Sequence, residues 1–439
     1  MAKKSPSLEH GICELYQEDP ERADYLVFGR VADEGRRGFL KGAGLAAMGA
    51  AVGAAIPFHR YMPAGLIPEA LAGAATDFKI QGKDGLTVFN DRPVNAETPA
   101  HLLDDDVTPT KRHFVRNNGI PPENTNPDGW TLTIDGEVEN PMTLSIADLK
   151  SKFEVVKLKL QVECGGNGRA AFNPPAKGNQ WTVGAVANAE WTGVRFGDVL
   201  KAAGIKPSAV YTGHYGADGH LSGDPNKVPL SRGVPIAKAM NPQTLIAFEM
   251  NGAAIHPMNG APLRVVSPGW PGSTSQKWLK RVWVRDKVHD GTKMTGFAYR
   301  TPKYTTAPGA KVPKKDWVII ESMPVKSLIT NPQTGTALAA GATGVEVRGQ
   351  AWAGDNAVST VHVTGDFGAS WVKATLSPPP NPYSWQRWTA TVPLPGHGYY
   401  EIWARATDDQ GRMQPFAITW NAKGYLNNSM HRISVTIPV

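Results

Sequence analysis

Alternating apolar and polar positions predict strands through the first two thirds of the chain. Val156–Val162 alternates as a half-buried strand does, and Trp130–Val138 alternates and ends in a turn, as expected for a strand pair. Two short helices are predicted between strands, Ser145–Lys150 with its serine cap and Phe196–Gly204 with a glycine at its end. Short helices among strands predict a mixed α+β domain.

The pattern changes from about Met323. Period-two segments separated by turn clusters then recur at the spacing of a β-sandwich, at Val345–Arg348, Val361–Val363, Trp388–Val392 and Tyr400–Arg405. The stretch Thr76–Val107 is polar and weakly patterned, so we expect it to wrap the surface. We divide the chain into a leader over residues 1–75, an α+β domain over 76–320 and a sandwich over 321–439.

The leader has the pattern of an export signal. Arg36 and Arg37 form a twin-arginine motif, and the small-residue apolar run Gly42–Pro57 after it is too short for a membrane span. The alternative is a surface amphipathic helix with a chance arginine pair. The twin-arginine route exports proteins that are already folded, so the sequence predicts a periplasmic protein. No other apolar stretch approaches ~18 residues, and we expect no membrane span.

Composition excludes some partners. A net charge of +7 fits anionic substrates or acidic partners, although scattered surface charge explains it equally well. The sequence has no arginine-rich run, no recognition-helix pattern and no zinc-type spacing of Cys and His, so we expect no nucleic-acid binding.

The glycine-rich segment after the predicted strand holds one of only two cysteines. Cys164 is followed by Gly165, Gly166 and Gly168, which favour a turn and a close approach of backbone, while Arg169 stands five residues on. A cationic neighbour favours the thiolate, which is the form that binds metals. By this motif alone, a metal ligand and a buried structural cysteine are equally plausible.

This segment, with Lys177-Gly178-Asn179-Gln180-Trp181 after it, resembles the molybdenum-cofactor domain of the sulfite oxidase family. The resemblance implies that Cys164 binds molybdenum and that Arg169 lines an anion pocket. It also implies cofactor contacts from three further motifs, in which Asn118 and Asn259 replace family histidines. The implied cofactor residues are Phe114, Arg116, Asn117, Asn118, Cys164, Asp218, Asn259, Arg264, Ser275 and Lys277.

The C-terminal part carries two more resemblances. Val361–Trp371 is similar to the immunoglobulin-like dimerisation domain of the same family, which implies a homodimer, or a heterotetramer with another subunit; a monomer is the alternative. The run from Trp420 resembles the family's W-N-x-R-G-x-L segment with Lys423 at the arginine position, which keeps the charge and loses the bidentate fork. The family's active-site tyrosine has no clear counterpart; Tyr299 and Tyr304 are the nearest candidates.

The resemblance implies a molybdenum–molybdopterin oxidoreductase that transfers an oxygen atom to sulfur, with Arg116, Arg169 and Lys423 around an anionic substrate. The sequence has no C-x-x-C-H haem site, so the electrons would leave to a c-type cytochrome partner. The altered residues most resemble the molybdenum subunits of sulfane dehydrogenases of the periplasmic Sox system, whose substrate is sulfane sulfur on a carrier protein. The alternatives are a cytochrome-linked sulfite dehydrogenase, a sulfoxide reductase, which the dimerisation domain disfavours, and a catalytically silent scaffold.

Overall fold

A computed structural model describes residues 78–439 of the chain. The predicted leader, its twin arginines and Cys13 lie outside the described residues. Within residues 78–439, no helix combines the length and the apolar character needed to cross a membrane.

Strands outnumber helices in the first part of the described chain. Its strands are β1 Thr87–Asp91, β2 Val94–Glu97, β3 Val115–Arg116, β4 Thr131–Gly136, β5 Met142–Ser145, β6 Val155–Glu163, β7 Val186–Arg195, β8 Tyr211–Gly216, β9 Leu245–Met250, β10 Ala253–Ala254, β11 Arg264–Val266, β12 Leu279–Arg285, β13 Arg300–Pro302 and β14 Trp317–Ile319. Its α-helices are α1 Ile146–Lys152, α2 Phe196–Ala203 and α3 Ile236–Ala239. This is the predicted mixed α+β arrangement.

Two sheets organise this part. One has the order β10-β9-β7-β6, with β11 also paired to β9, and the other has the order β5-β4-β12-β8. Their apolar faces and the two longer helices share a core that includes Leu132, Phe196, Leu200, Ile246 and Val282. The strand β6 pairs antiparallel with β7 along its whole length, so the residue after it lies at the end of a sheet.

The predicted local structures are confirmed, with one detail added. Ser145 caps α1 through a reciprocal capping box with Asp148, and Gly204 ends α2 with a φ of 70°. The alternating run from Trp130 gives the single strand β4, whose hairpin partner is β5.

The expectation for Thr76–Val107 is wrong in part. All four residues of β2 are buried, and Leu103 is fully buried against Trp352 and Trp385. The polar residues among them are paired rather than solvated: Asn95 accepts a hydrogen bond from the backbone N–H of Asn117. A buried segment can therefore be polar where its partners come from distant parts of the chain.

The C-terminal part is the predicted β-sandwich. Its two sheets have the orders β15-β17-β21-β20 and β16-β23-β22-β18-β19. Their inward residues, among them Val347, Val361, Trp388 and Ile402, form one core. The strands are β15 Lys326–Asn331, β16 Thr336–Ala337, β17 Gly344–Trp352, β18 Val358–Thr364, β19 Val372–Lys373, β20 Thr375–Leu376, β21 Gln386–Pro393, β22 Gly398–Asp408 and β23 His431–Ile437.

Candidate active site

The only cysteine among the described residues lies directly after β6. Cys164 is 7% exposed, and its backbone N–H donates to the carbonyl of Ala185 over 2.9 Å. The turn that follows needs its glycines: Gly168 has a φ of 86°, and a Cβ on Gly166 would lie 2.3 Å from the guanidinium of Arg169. The sequence thus folds a thiol onto a tight loop at the end of a sheet.

Cys164 lines a partly open cavity. Arg116 and Tyr299 line the same cavity, and negative charge on Cys164, Tyr299 and Tyr425 favours the charged form of Arg116 and raises its pKa against the effect of burial. Most of the residues that line the cavity are polar or charged. The lining residues are His113, Phe114, Arg116, Asn118, Val162, Cys164, Asp218, Leu230, Asn259, Arg264, Gly272, Ser273, Ser275, Gln276, Lys277, Trp278 and Tyr299.

Cations gather around Met258 and Asn259 in the cavity wall. Arg264 donates to the carbonyl oxygens of Asn259 over 2.6 Å and Ser275 over 3.1 Å, and Lys277 donates to Asn117 and to the carbonyl of Met258. Burial lowers the pKa of Arg264 to about 9 and moves the pKa of Lys277 well below its ordinary value. Positive charge that is this poorly solvated is stabilised when an anion binds beside it.

Lys83 joins this cluster from the start of the described chain. Its ammonium donates to Asn259 Oδ1 and to the carbonyls of Thr110 and His113, and burial lowers its pKa to about 7. No carboxylate of residues 78–439 lies within 4.0 Å of the Lys83, Arg264 or Lys277 nitrogens. We call these three residues the cation cluster.

Several buried polar atoms of the wall lack a hydrogen-bond partner within the described chain. They are Arg116 Nη1, His113 Nε2, Asp218 Oδ1 and Gln276 Oε1. Native interiors seldom leave such atoms unpaired, so a cluster of them around one cavity indicates a polar ligand. Burial also raises the pKa of Asp218 to about 6, which lets this carboxyl group donate a hydrogen bond as well as accept one.

Nine of the ten residues predicted to contact a cofactor line this cavity. The tenth, Asn117, lies behind the wall, where its side-chain oxygen accepts from Lys277. Asn118, which stands where the family has histidine, accepts from Lys293 Nζ over 2.6 Å. Asn259 donates to the carbonyl of Phe114 over 3.0 Å and accepts from Lys83, so its amide connects two segments of the wall.

The two other cations predicted around the substrate do not line the cavity. Arg169 is buried, and its guanidinium donates to the carbonyls of Lys423 over 3.1 Å and Asn179 over 2.9 Å, while it covers the ring of Tyr425 at 5.1 Å. Lys423 thus meets Arg169 through its backbone carbonyl, and its ammonium forms no ion pair among the described residues.

The two tyrosine candidates, Tyr299 and Tyr304, lie in different environments. Tyr299 lines the cavity, is 4% exposed and has a φ of 51°, whereas Tyr304 is half exposed and donates to Asp316. A third tyrosine, which the sequence analysis did not single out, stacks on Tyr299 with ring centroids 5.7 Å apart: Tyr425, from the segment that precedes β23. The backbone N–H of Tyr299 donates to the Tyr425 hydroxyl.

Sequence reasoning also missed a buried arginine behind Tyr299. Arg232 is 1% exposed, donates to Ser273 Oγ over 3.1 Å and lies 4.8 Å from the centre of the Tyr299 ring. No spacing or motif marks Arg232, because its neighbours come from residues 273 to 299. Lys293, whose pKa burial lowers to about 8, is held at Asn118 by similarly distant packing.

A metal held by a thiolate and joined to a phosphate-bearing organic group fits these residues. Cys164 supplies the thiol, the cation cluster supplies the positive charge that a buried phosphate requires, and the unpaired atoms of Arg116, His113 and Gln276 offer further hydrogen bonds. Because Cys164, Arg264 and Lys277 line one cavity, a single ligand that carries both a metal and an anionic group fits there.

Comparisons with known proteins agree with this geometry. Residues 118–293 match the family of oxidoreductase molybdopterin binding domains, and residues 317–437 match the family of Mo-co oxidoreductase dimerisation domains. Among solved structures, the sulfane dehydrogenase SoxCD from Paracoccus pantotrophus superposes with a TM-score of 0.67 at 25% identity, over 88% of this chain and 99% of that chain.

Relatives of known activity include sulfite oxidases. The chicken sulfite oxidase is 33% identical over 79% of this chain and 77% of its own length, and the Drosophila melanogaster mitochondrial enzyme is 34% identical over 79% and 62%. With these matches and the cavity around Cys164, the chain belongs to the sulfite oxidase family and is a molybdenum oxidoreductase of the sulfane or sulfite dehydrogenase type that uses the molybdenum–molybdopterin cofactor.

Proposed function

We propose that the protein is the molybdenum subunit of a periplasmic sulfane dehydrogenase, which oxidises sulfane sulfur bound to a carrier protein and passes the electrons to a c-type cytochrome subunit. The observation that carries this proposal is the similarity to SoxCD, which spans 88% of this chain and almost all of the compared one. In this proposal residues 76–320 form the catalytic domain and residues 321–439 form the dimerisation domain.

Each end of the cavity has its own role in this proposal. Cys164 would hold molybdenum, and Lys83, Arg264, Lys277 and Ser275 would hold the cofactor's phosphate. When bound, the cofactor supplies a two-electron centre that exchanges an oxygen atom with sulfur. The protein contributes the positions and the electrostatic environment of the groups around that centre.

The substrate side is formed by Arg116, Asn118 and Tyr299. Arg116 lines the cavity with Cys164 and has one unpaired nitrogen, so it can orient an anionic sulfur group near the metal ligand. Tyr299 and Asn118 lie within 3.5 Å of each other and can share a proton or a hydrogen bond with the substrate. Arg169 holds the Cys164 loop and Tyr425, and it adds positive charge from behind the wall.

The position of Lys423 favours sulfane over sulfite. An arginine fork suits a small oxyanion such as sulfite, because it forms two parallel hydrogen bonds. Here a lysine stands at that position, and its side chain does not line the cavity. A substrate that arrives on a carrier protein depends less on such a fork, because the carrier contributes its own binding surface.

A second candidate, a cytochrome-linked sulfite dehydrogenase, is favoured by a different observation. The relatives at 33–34% identity are named sulfite oxidases. Both candidates require an electron acceptor and export by the twin-arginine segment, so only the substrate distinguishes them.

The test compares two substrates with one enzyme preparation. The full chain is produced with its cofactor, and the reduction of a c-type cytochrome is followed with free sulfite and with a carrier protein that bears sulfane sulfur. Sulfane dehydrogenase activity predicts a kcat/KM at least about 10-fold higher for the carrier-bound substrate, which corresponds to ~1.4 kcal/mol of transition-state preference. Faster turnover of free sulfite would make the sulfite dehydrogenase the better description.

A further inference from the structure

The residue before the proposed metal ligand has a partner in the other half of the molecule. Glu163 ends β6 and is 1% exposed, and its carboxylate accepts from Lys326 Nζ at 2.5 Å. Lys326 is the first residue of β15 in the sandwich and has a side chain that is 8% exposed. This buried ion pair therefore connects the sandwich to the strand that presents Cys164.

Two further donors fix the same carboxylate. Trp352, which faces Lys326 across the β15–β17 pair, donates its indole N–H to Glu163 Oε2 over 2.9 Å. Asn167 donates to Glu163 Oε1 over 3.1 Å, and the backbone N–H of Asn167 donates to the carbonyl of Cys164 over 2.8 Å. The carboxylate thus braces the loop on both sides of the cysteine.

The sandwich also holds the far side of this loop. The backbone N–H of Leu426 donates to the carbonyl of Gly165 over 3.1 Å, and Asn427 donates to the carbonyl of Gly168 over 2.6 Å. The loop that carries the thiol is therefore enclosed by residues from both ends of the sandwich sequence.

We propose that the Glu163–Lys326 pair is a positioning device by which the sandwich sets Cys164 for the metal. This inference rests on the proposed role of Cys164 as ligand. Without Lys326, the Glu163 carboxylate would be a buried and uncompensated charge one residue from the proposed metal ligand. Lys326 compensates that charge and fixes the carboxylate where it can accept from Trp352 and Asn167. Outer partners of metal ligands commonly change metal affinity or activity by about 10- to 100-fold.

The pair makes a specific prediction for single and double variants. Lys326→Met leaves a buried, uncompensated carboxylate, whereas Glu163→Gln with Lys326→Gln restores a neutral pair that can still accept and donate hydrogen bonds. The single variant should lose the position of Cys164, and the double variant should recover it. A purely space-filling role of Lys326 would give no such recovery.

The rate at which Cys164 is alkylated provides the measurement. In a Cys13→Ser background the full chain contains one cysteine, so the rate of alkylation by iodoacetamide in cofactor-free protein reports the exposure of Cys164. We expect Lys326→Met to react at least about 10-fold faster than the parent and the double variant to react within about 3-fold of it. Molybdenum per chain, measured after expression with the cofactor, should fall and recover in the same order.

Lys238 provides a matched control. It pairs with Asp355 over 2.7 Å, is buried and also connects the first part of the chain to the sandwich, but it does not contact the Cys164 loop. Lys238→Met should therefore weaken the same junction without a comparable change in alkylation. Equal acceleration in both lysine variants would overturn the proposal, because it would indicate general loosening.

A second variant keeps the test decisive. If Lys326→Met does not fold, Lys326→Gln retains a donor for Glu163 while it still removes the charge, and parent-like alkylation in that variant would also overturn the proposal. The alkylation assay needs neither molybdenum nor substrate. A chain without molybdenum or without sulfane activity would thus refute the proposed function and leave the result on the pair unaffected.

Discussion

The two ends of the cavity are built on different principles. In the cation cluster, Arg264 is buried and Lys83 and Lys277 are partly buried, and their donors are held by backbone carbonyls and amide oxygens. The substrate side around Arg116 and Tyr299 is formed by side chains from distant segments, including Tyr425 from the segment that precedes β23. The difference indicates that cofactor binding is a fixed property of the fold, whereas the substrate side can change by single substitutions.

The largest expected effect comes from the proposed metal ligand, Cys164. Cys164→Ser removes the thiolate that would bind molybdenum, while the hydroxyl fits the same 7% exposed position. We expect turnover to fall below detection, molybdenum per chain to drop, and the thermal unfolding temperature of cofactor-free protein to change little. Parent-like turnover in Cys164→Ser would rule out a molybdenum thiolate site.

The second-largest effect is expected at Lys277. Its substitution should weaken cofactor retention but stabilise the cofactor-free protein. Lys277→Met removes a charge that a bound phosphate needs, so we expect molybdenum retention to fall by about 10- to 100-fold. In cofactor-free protein the same change removes an unpaired buried cation and should raise the free energy of unfolding. Lys280→Met is the control, since Lys280 lies on the ring of Trp130 outside the cavity. A loss of stability in both states would show that Lys277 has only a structural role.

The pH dependence of cofactor-free protein tests Lys83. Its pKa is about 7 in the folded chain and near 10.4 in an unfolded chain, so between these values the unfolded state binds more protons. Stability should therefore rise from pH 7 to 9, by about 2 kcal/mol for this group. Denaturant unfolding at several pH values measures the slope, and Lys83→Met should flatten it. An unchanged slope in that variant would contradict the burial of this ammonium.

The smallest effect is expected at Lys423. Its carbonyl, which substitution keeps, accepts from Arg169, and its side chain does not line the cavity. Lys423→Met should change kcat/KM for the carrier-bound substrate by less than about 3-fold, whereas Arg169→Met should lower it by more than about 10-fold because it releases Tyr425 and the cysteine loop. A larger loss of kcat/KM in Lys423→Met than in Arg169→Met would show that Lys423, in the segment that precedes β23, is the cation that binds the substrate.

The sequence alone predicted those features whose residues lie close together in short segments. The strand before Cys164, the glycine turn, the capped helices and the residues of the cation cluster at 264 and 277 all lie in contiguous motifs. Arg232, Lys293 and Tyr425 could not be found in this way, because each reaches the site through packing against segments tens of residues or more away. For the same reason the burial of β2 was missed, since its polar residues are satisfied by distant partners.

The central claim is that Cys164 and the cation cluster hold one molybdenum cofactor. The most direct test is elemental analysis of the purified, folded full chain for molybdenum, with pterin measured in the same sample. The account predicts about one molybdenum and one pterin per chain, and both should be lost together in Lys277→Met. Folded protein with neither would contradict the account and would favour a catalytically silent scaffold in which Cys164 is only a buried thiol.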